Sequence, residues 1–194
     1  LDYAIWLSIN DLAEPWVEAV QDGSWKSVGR EKQLDFALRA IEPAQASVVL
    51  SKVLADHPIP ADGSGPWIDL IARAGATEHV DMLFARARSK ELSHEATIRV
   101  LDALSEAARL RQVSPSKDRE KIEDFFASES SALRAAAVRL AGRWKLQDLS
   151  KRFIAFASNP NTPPNVRAAA FESLPLVGGP VIVGLEASGY TPWF

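Results

Sequence analysis

Cysteine is missing from all 194 residues. That rules out disulfides, thiolate metal sites, iron–sulfur clusters, covalent c-type haem and a cysteine nucleophile within this chain, and it leaves the compartment unread by redox chemistry. No apolar run approaches the ~20 residues of a membrane helix, and the N-terminus lacks the basic and apolar regions of a signal peptide. An initiating Met is also missing. Leu1 leads straight into "DYAIWLSIN", an amphipathic pattern already under way, so the chain is expected to be a piece of a longer protein.

Reactive motifs are equally scarce. There are three histidines, His57, His79 and His94, none with a second ligand one helical turn away, and "HEATI" from His94 lacks the second His of a zinc-protease helix. No Gly-x-Gly-x-x-Gly, phosphate loop or Gly-x-Ser-x-Gly elbow occurs. "DGSG" at 62–65 resembles a calcium-loop fragment but has no downstream bidentate Glu, so a turn is expected. The acid pairs Asp118/Glu120 and Glu123/Asp124 sit among Lys117, Arg119 and Lys121, which reads as a solvated face rather than an acid–base pair. No catalytic residue, metal site or cofactor is expected.

What is present is an ordinary globular composition, 47% hydrophobic and 24% charged, long enough to bury roughly 70% of its unfolded surface. The net charge is −3, and it is uneven: residues 1–97 carry 9 basic and 15 acidic side chains, residues 98–194 carry 13 and 10. Such a gradient by default marks two solvated surfaces of different composition.

One word is written twice. "SSALRAAAVRLAGRW" from Ser130 and "PPNVRAAAFESLPLV" from Pro163 place Leu133 and Val166 in equivalent positions, 33 residues apart. In the first copy Leu133, Ala136, Ala137, Leu140, Ala141 and Trp144 fall at helical spacing on one face. In the second, Val166, Ala169, Ala170, Ser173, Leu174 and Val177 take the same offsets, with Val138 and Phe171 expected to widen both stripes. Side chains that stop at Cβ let a neighbouring helix approach to the short end of the usual ~8–10 Å. A helix apolar over so broad an arc needs a copy of its own kind beside it. Between the copies lies a second helical pattern, Leu146, Leu149, Phe153, Phe156 and Ala157, so one period is helix, turn, helix, loop, the grammar of an α-solenoid.

Helices are expected at about 2–10, 12–21, 30–41, 43–55, 66–74, 78–89, 94–110, 116–127, 131–144, 147–157, 163–174 and 180–187. That makes roughly six helix pairs and almost no strand, in one repeat domain spanning 1–194. Pro43, Pro66, Pro115, Pro163 and Pro180 suit first turns, Ser114 and Thr162 suit N-caps, and Gly23, Gly75 and Gly142 suit stops or sharp turns. "SVVLSKVL" at 47–54 reads as a helix through Val49, Leu50, Val53 and Leu54. The echo of "EPWVEAV" from Glu14 in "GPWIDLI" from Gly65 reads as a Pro-started helix whose Trp covers the end of a pair. "ADHPIPADGSGP" at 55–66 is expected to be an inter-repeat loop rather than a domain boundary.

Two groups of residues are candidates for an interaction surface. Arg134, Arg139, Arg143, Lys145, Lys151 and Arg152 form a basic cluster, with Arg139 and Arg143 one turn apart away from the alanine stripe, and Arg134 and Arg167 match at the stripe edges. Such an array can grip phosphates, as in helical-repeat glycosylases, but the chain as a whole is acidic and nearby Trp144 and Phe153 lie on the buried pattern. Among six tryptophans, Trp25 in the turn "DGSWKSVG" is the candidate anchor.

"LDYAIWLSINDLAEPW", with the closing "LRAAAVRLAGRWKLQDLSKRFIAFASNPNTPPNVRAAAFESL", resembles the helical-repeat section of large membrane-bound dehydrogenase or haem-binding proteins of planctomycete and verrucomicrobial bacteria. The resemblance implies a HEAT/armadillo-like α-α superhelix lying between a sugar-dehydrogenase-like propeller and a cytochrome c module, in an exported or membrane-associated protein. Catalytic and haem residues would then lie outside this segment. The expected role is a non-catalytic scaffold or protein-interaction domain; the alternative is a nucleic-acid-binding repeat protein using its basic surface.

Overall fold

The apolar periodicity becomes helix almost throughout. The computed structural model describes residues 2–178, with side chains from residue 11 onward. Its α-helices are α1 (Asp2–Gln21), α2 (Glu31–Ala40), α3 (Pro43–Asp56), α4 (Trp67–Ala74), α5 (Thr77–Arg88), α6 (His94–Arg111), α7 (Ser131–Arg143), α8 (Ser150–Ser158) and α9 (Pro164–Val177), with 3-10 segments at Arg119–Ala127 and Gln147–Leu149. No strand occurs among the described residues, and no helix among them is long and apolar enough to cross a membrane. The fold is an all-α helical-repeat fold. Packing divides the chain into two compact units, residues 1–96 and 97–194, with the boundary inside α6.

In the first unit α3 packs against α1, α2 and α4, and α5 follows on α4. The "SVVLSKVL" stretch is its spine: Val49 and Leu50 are fully buried, Val53 and Leu54 nearly so, among Leu34, Ile68, Ile71 and Leu83. Pro43 opens α3 at a position where no N–H is needed. The loop from 57 to 66 lies wholly within this unit, as an inter-repeat connection does. It is tied down by the Ser93 N–H donating to Ala61 O at 2.7 Å. Within it Asp62 Oδ1 accepts from Ser64 N–H at 2.9 Å, and Asp22 Oδ1 accepts from Ser24 N–H at 2.7 Å, so both Asp-Gly-Ser sequences make the same turn. Trp67, the first residue of α4, stacks on His57 at the C-terminal end of α3, 5.4 Å between centroids.

In the second unit the two copies of the repeated word pack directly on each other as α7 and α9, with α8 against α9 and the long 3-10 helix against α7. Every stripe position of both copies is buried. Gly142 of α7 shows why small residues matter there: a Cβ added to it would meet Ser173 Cβ and Oγ at 2.6 Å. The Ser173 hydroxyl, fully buried, lies 2.7 Å from Ala169 O on its own helix and 3.1 Å from Val138 O across the interface. Phe126 of the 3-10 helix meets Phe153 and Phe156 of α8 edge-on at 6.4 and 5.6 Å.

Several expectations are corrected. The patterns at 2–10 and 12–21 form one helix, and Pro15 lies inside it rather than starting one. The 116–127 pattern is a 3-10 helix starting at Arg119, so neither Pro115 nor Ser114 begins it. Pro164 rather than Pro163 is the first residue of α9, and Thr162 is buried rather than a cap. Ser130 caps α7, its hydroxyl accepting from Leu133 N–H at 3.3 Å. Gly142 lies within α7, and its role is close approach. Val138 is buried, but Phe171 is 37% exposed, so the stripes do not widen equally. Pro180 and the 180–187 pattern lie outside the described residues.

Candidate functional site

Two concave features stand out, one in each unit. In the first, the C-terminal half of α1, the turn after it and α2 leave an apolar groove of about 440 Å³ lined by Leu12, Ala13, Pro15, Trp16, Trp25, Ala37 and Ile41, with Gln33 its polar member. Leu12 is 61% exposed at its edge. Trp25 is held there by its own backbone, the N–H donating to Ala19 O at 2.8 Å, by an edge-on contact with Trp16 at 5.5 Å, and by the Arg30 guanidinium 5.9 Å over its ring. It is half-buried, a fixed wall of the groove.

In the second unit the ends of α6 and α7, the start of the 3-10 helix and Leu176 of α9 enclose a cleft of about 400 Å³. Its charged walls are Arg109, Arg119, Arg143 and Lys145, with Gln112 and Ser114 beside them. Two non-glycine residues in the left-handed region, Gln112 (φ 57) and Lys145 (φ 55), turn the chain at its rim. At Lys145 the turn is closed by its N–H to Gly142 O at 2.9 Å and Leu146 N–H to Ala141 O at 3.2 Å, a Schellman motif. Arg109 is held by Glu106 through two hydrogen bonds, 3.0 and 2.6 Å, and that pairing lowers the Glu106 carboxyl below its usual range, with Arg143 adding to the effect. Among the described residues no carboxylate lines the cleft, and Arg119, Arg143 and Lys145 form no ion pair there.

The basic cluster read from the sequence is therefore divided. Arg139 lies 3.9 Å from Asp102 Oδ1; burial raises the Asp102 carboxyl, and Arg139 pulls it partly back. Arg152 pairs with Glu123 and sits over the Phe126 ring at 5.8 Å. Arg134 and Arg167 are both half-buried, matching each other as the repeat demands, and Arg134 Nε is buried without a hydrogen bond. Only Arg143 and Lys145 of that cluster reach the cleft. Arg109, Arg119 and Gln112 were not among the candidates. Their signal was faint: each lies at the end of an element whose boundary, rather than its pattern, decides where the side chain goes. The acid pairs are surface partners, Asp118 to Lys121 at 2.8 Å and Glu123 to Arg152.

One part-buried polar pair went unnoticed in the sequence. His79 is buried on α5, its Nε2 2.9 Å from Ser51 Oγ of α3 and its Nδ1 accepting from Ala76 N–H at 3.2 Å. With Nδ1 an acceptor, Nε2 carries the proton and donates to the serine. A Ser–His dyad needs the opposite tautomer, with Nε2 free to take the hydroxyl proton. The pair ties α3 to the start of α5. Glu78, whose Oε1 accepts from Ser47 Oγ at 2.6 Å, repeats that tie one turn away. Among the described residues no group of three or more potential ligands is placed to hold a metal ion.

No family model, no curated protein and no solved structure matches the chain.

Proposed function

We propose that this chain is a non-catalytic helical-repeat module that scaffolds or recruits protein partners. The observation that carries the reading is the apolar groove of the first unit, where Trp16 and Trp25 stand as rigid walls and Leu12 is left largely exposed. Rigid aromatic side chains around a water-excluding recess are the usual anchors of protein interfaces. The polar side chains support it too: Ser51 and His79 are committed to holding helices together. On the resemblance seen in the sequence, the module would space a dehydrogenase-like propeller from a cytochrome c module in an exported or membrane-associated protein. An extended nucleic-acid groove is less well supported, because Arg139 and Arg152 face acidic partners and interrupt the basic array.

The test is a photo-crosslinking residue at Gln33, beside the groove, in the protein expressed in its native host. The expected result is one defined protein adduct that Leu12→Lys abolishes while melting behaviour is unchanged. Absence of an adduct, or an adduct indifferent to Leu12→Lys, overturns the reading.

A further inference from the structure

We propose that the basic cleft of the second unit is a binding site for a small phosphorylated organic anion bearing two or more negative charges. The cleft is separate from the groove on which the proposed function rests. Its volume, about 400 Å³, lies within the roughly 300–1,000 Å³ of small-molecule sites. Four cationic side chains line it and, among the described residues, no carboxylate does; one of the four, Arg109, is engaged by Glu106. Helix C-termini attract cations on their own account, each end carrying about half a negative charge. With Arg109 balanced by Glu106, the two ends, those of α6 and α7, amount to about one negative charge and are outweighed by Arg119, Arg143 and Lys145, so a net positive potential remains for a ligand.

Guanidinium groups select the ligand chemistry. Their planar forks match phosphate oxygens two at a time, which a single ammonium cannot do. The non-phosphate part has a place as well, since Val113 and Leu176 supply apolar wall beside the cations. A polymer backbone fits less well, because the positive surface ends where Arg139 meets Asp102.

Isothermal titration of the whole chain with inorganic tripolyphosphate, and separately with adenosine diphosphate, tests this at about physiological ionic strength. The expected result is one saturable site per chain for at least one of the two probes. Arg119→Gln and Arg143→Gln should each weaken it about tenfold or more, the loss of a charge-assisted contact. Lys151→Gln, outside the cleft, should leave it unchanged. All three side chains are exposed, so circular dichroism should show unaltered folding. Binding by tripolyphosphate alone places the recognition in the phosphate; tighter binding of the nucleotide, lost on Val113→Ser, places part of it in the organic moiety. No saturable binding of either probe, or equal weakening by Lys151→Gln, overturns the proposal.

Discussion

Replacing Gly142 with alanine tests whether the repeated word is a packing device. In an open helix the change stabilises by about 1 kcal/mol, because glycine gives up more backbone freedom on folding. Here the new Cβ would lie 2.6 Å from Ser173 Cβ and Oγ and 3.0 Å from its Cα. Those atoms belong to the root of a side chain on a packed helix, not to a flexible tip, so α7 and α9 must move apart. Overpacking of this kind costs about 1–3 kcal/mol, and the separation also lengthens the Ser173 Oγ to Val138 O contact of 3.1 Å. After the propensity gain is subtracted, Gly142→Ala should destabilise by up to about 2 kcal/mol. For a chain of this size that lowers Tm by up to roughly 8 °C in a calorimetric or circular-dichroism melt. Ser173→Gly in the same chain removes the clashing Cβ, so the double variant should be more stable than the two single losses predict, by about 1 kcal/mol. If Gly142→Ala raises Tm, or the two substitutions simply add, then the helices do not meet at this point and the account of the interface is refuted.

Three further outcomes follow from the local backbone geometry and hydrogen bonds. Lys90 follows α5 at φ 62, a conformation costing an ordinary residue about 1–2 kcal/mol, so Lys90→Gly should stabilise by about 0.5–1 kcal/mol in urea unfolding after the looser unfolded chain is counted. Ser130→Ala removes the hydroxyl that accepts from Leu133 N–H, and a loss of about 1 kcal/mol is expected by the same assay. Hydrogen bonds hold several carboxyls below their ordinary range: Asp22 through the Ser24 side chain and backbone, Asp62 through the Ser64 backbone and side chain, and Glu78 through the Ser47 hydroxyl. A depressed folded-state acid contributes stability above its unfolded pKa and loses it as the pH falls, so Tm should decline between about pH 5 and 3. Asp62→Asn keeps the acceptor, removes the titration and should make that decline shallower; an unchanged slope would count against the assignment.

Helix periodicity was legible because burial of one face is a property of spacing alone. Leu133, Ala136, Val166 and Ala169 had to lie inside wherever the helices went, and they do. Element ends were harder. Pro15 fails to break α1, and the 116–127 pattern is wound as a 3-10 helix, since boundaries depend on what neighbouring elements cover rather than on local preference. The candidate cations were half legible: the sequence marked Arg143 but not Arg109 or Arg119, which reach the same cleft from separate elements.

By itself the sequence determined an all-α chain of repeating helices with no thiol chemistry, because composition and the 3.6-residue period are carried by the letters. Tertiary structure alone decided that Gly142 is a contact point and not a helix stop, that His79 holds the tautomer that donates to Ser51, and that one basic cluster separates into paired surface ions and an open cleft. Each of those depends on the distance between groups far apart in the chain, and only the packing of the helices sets that distance.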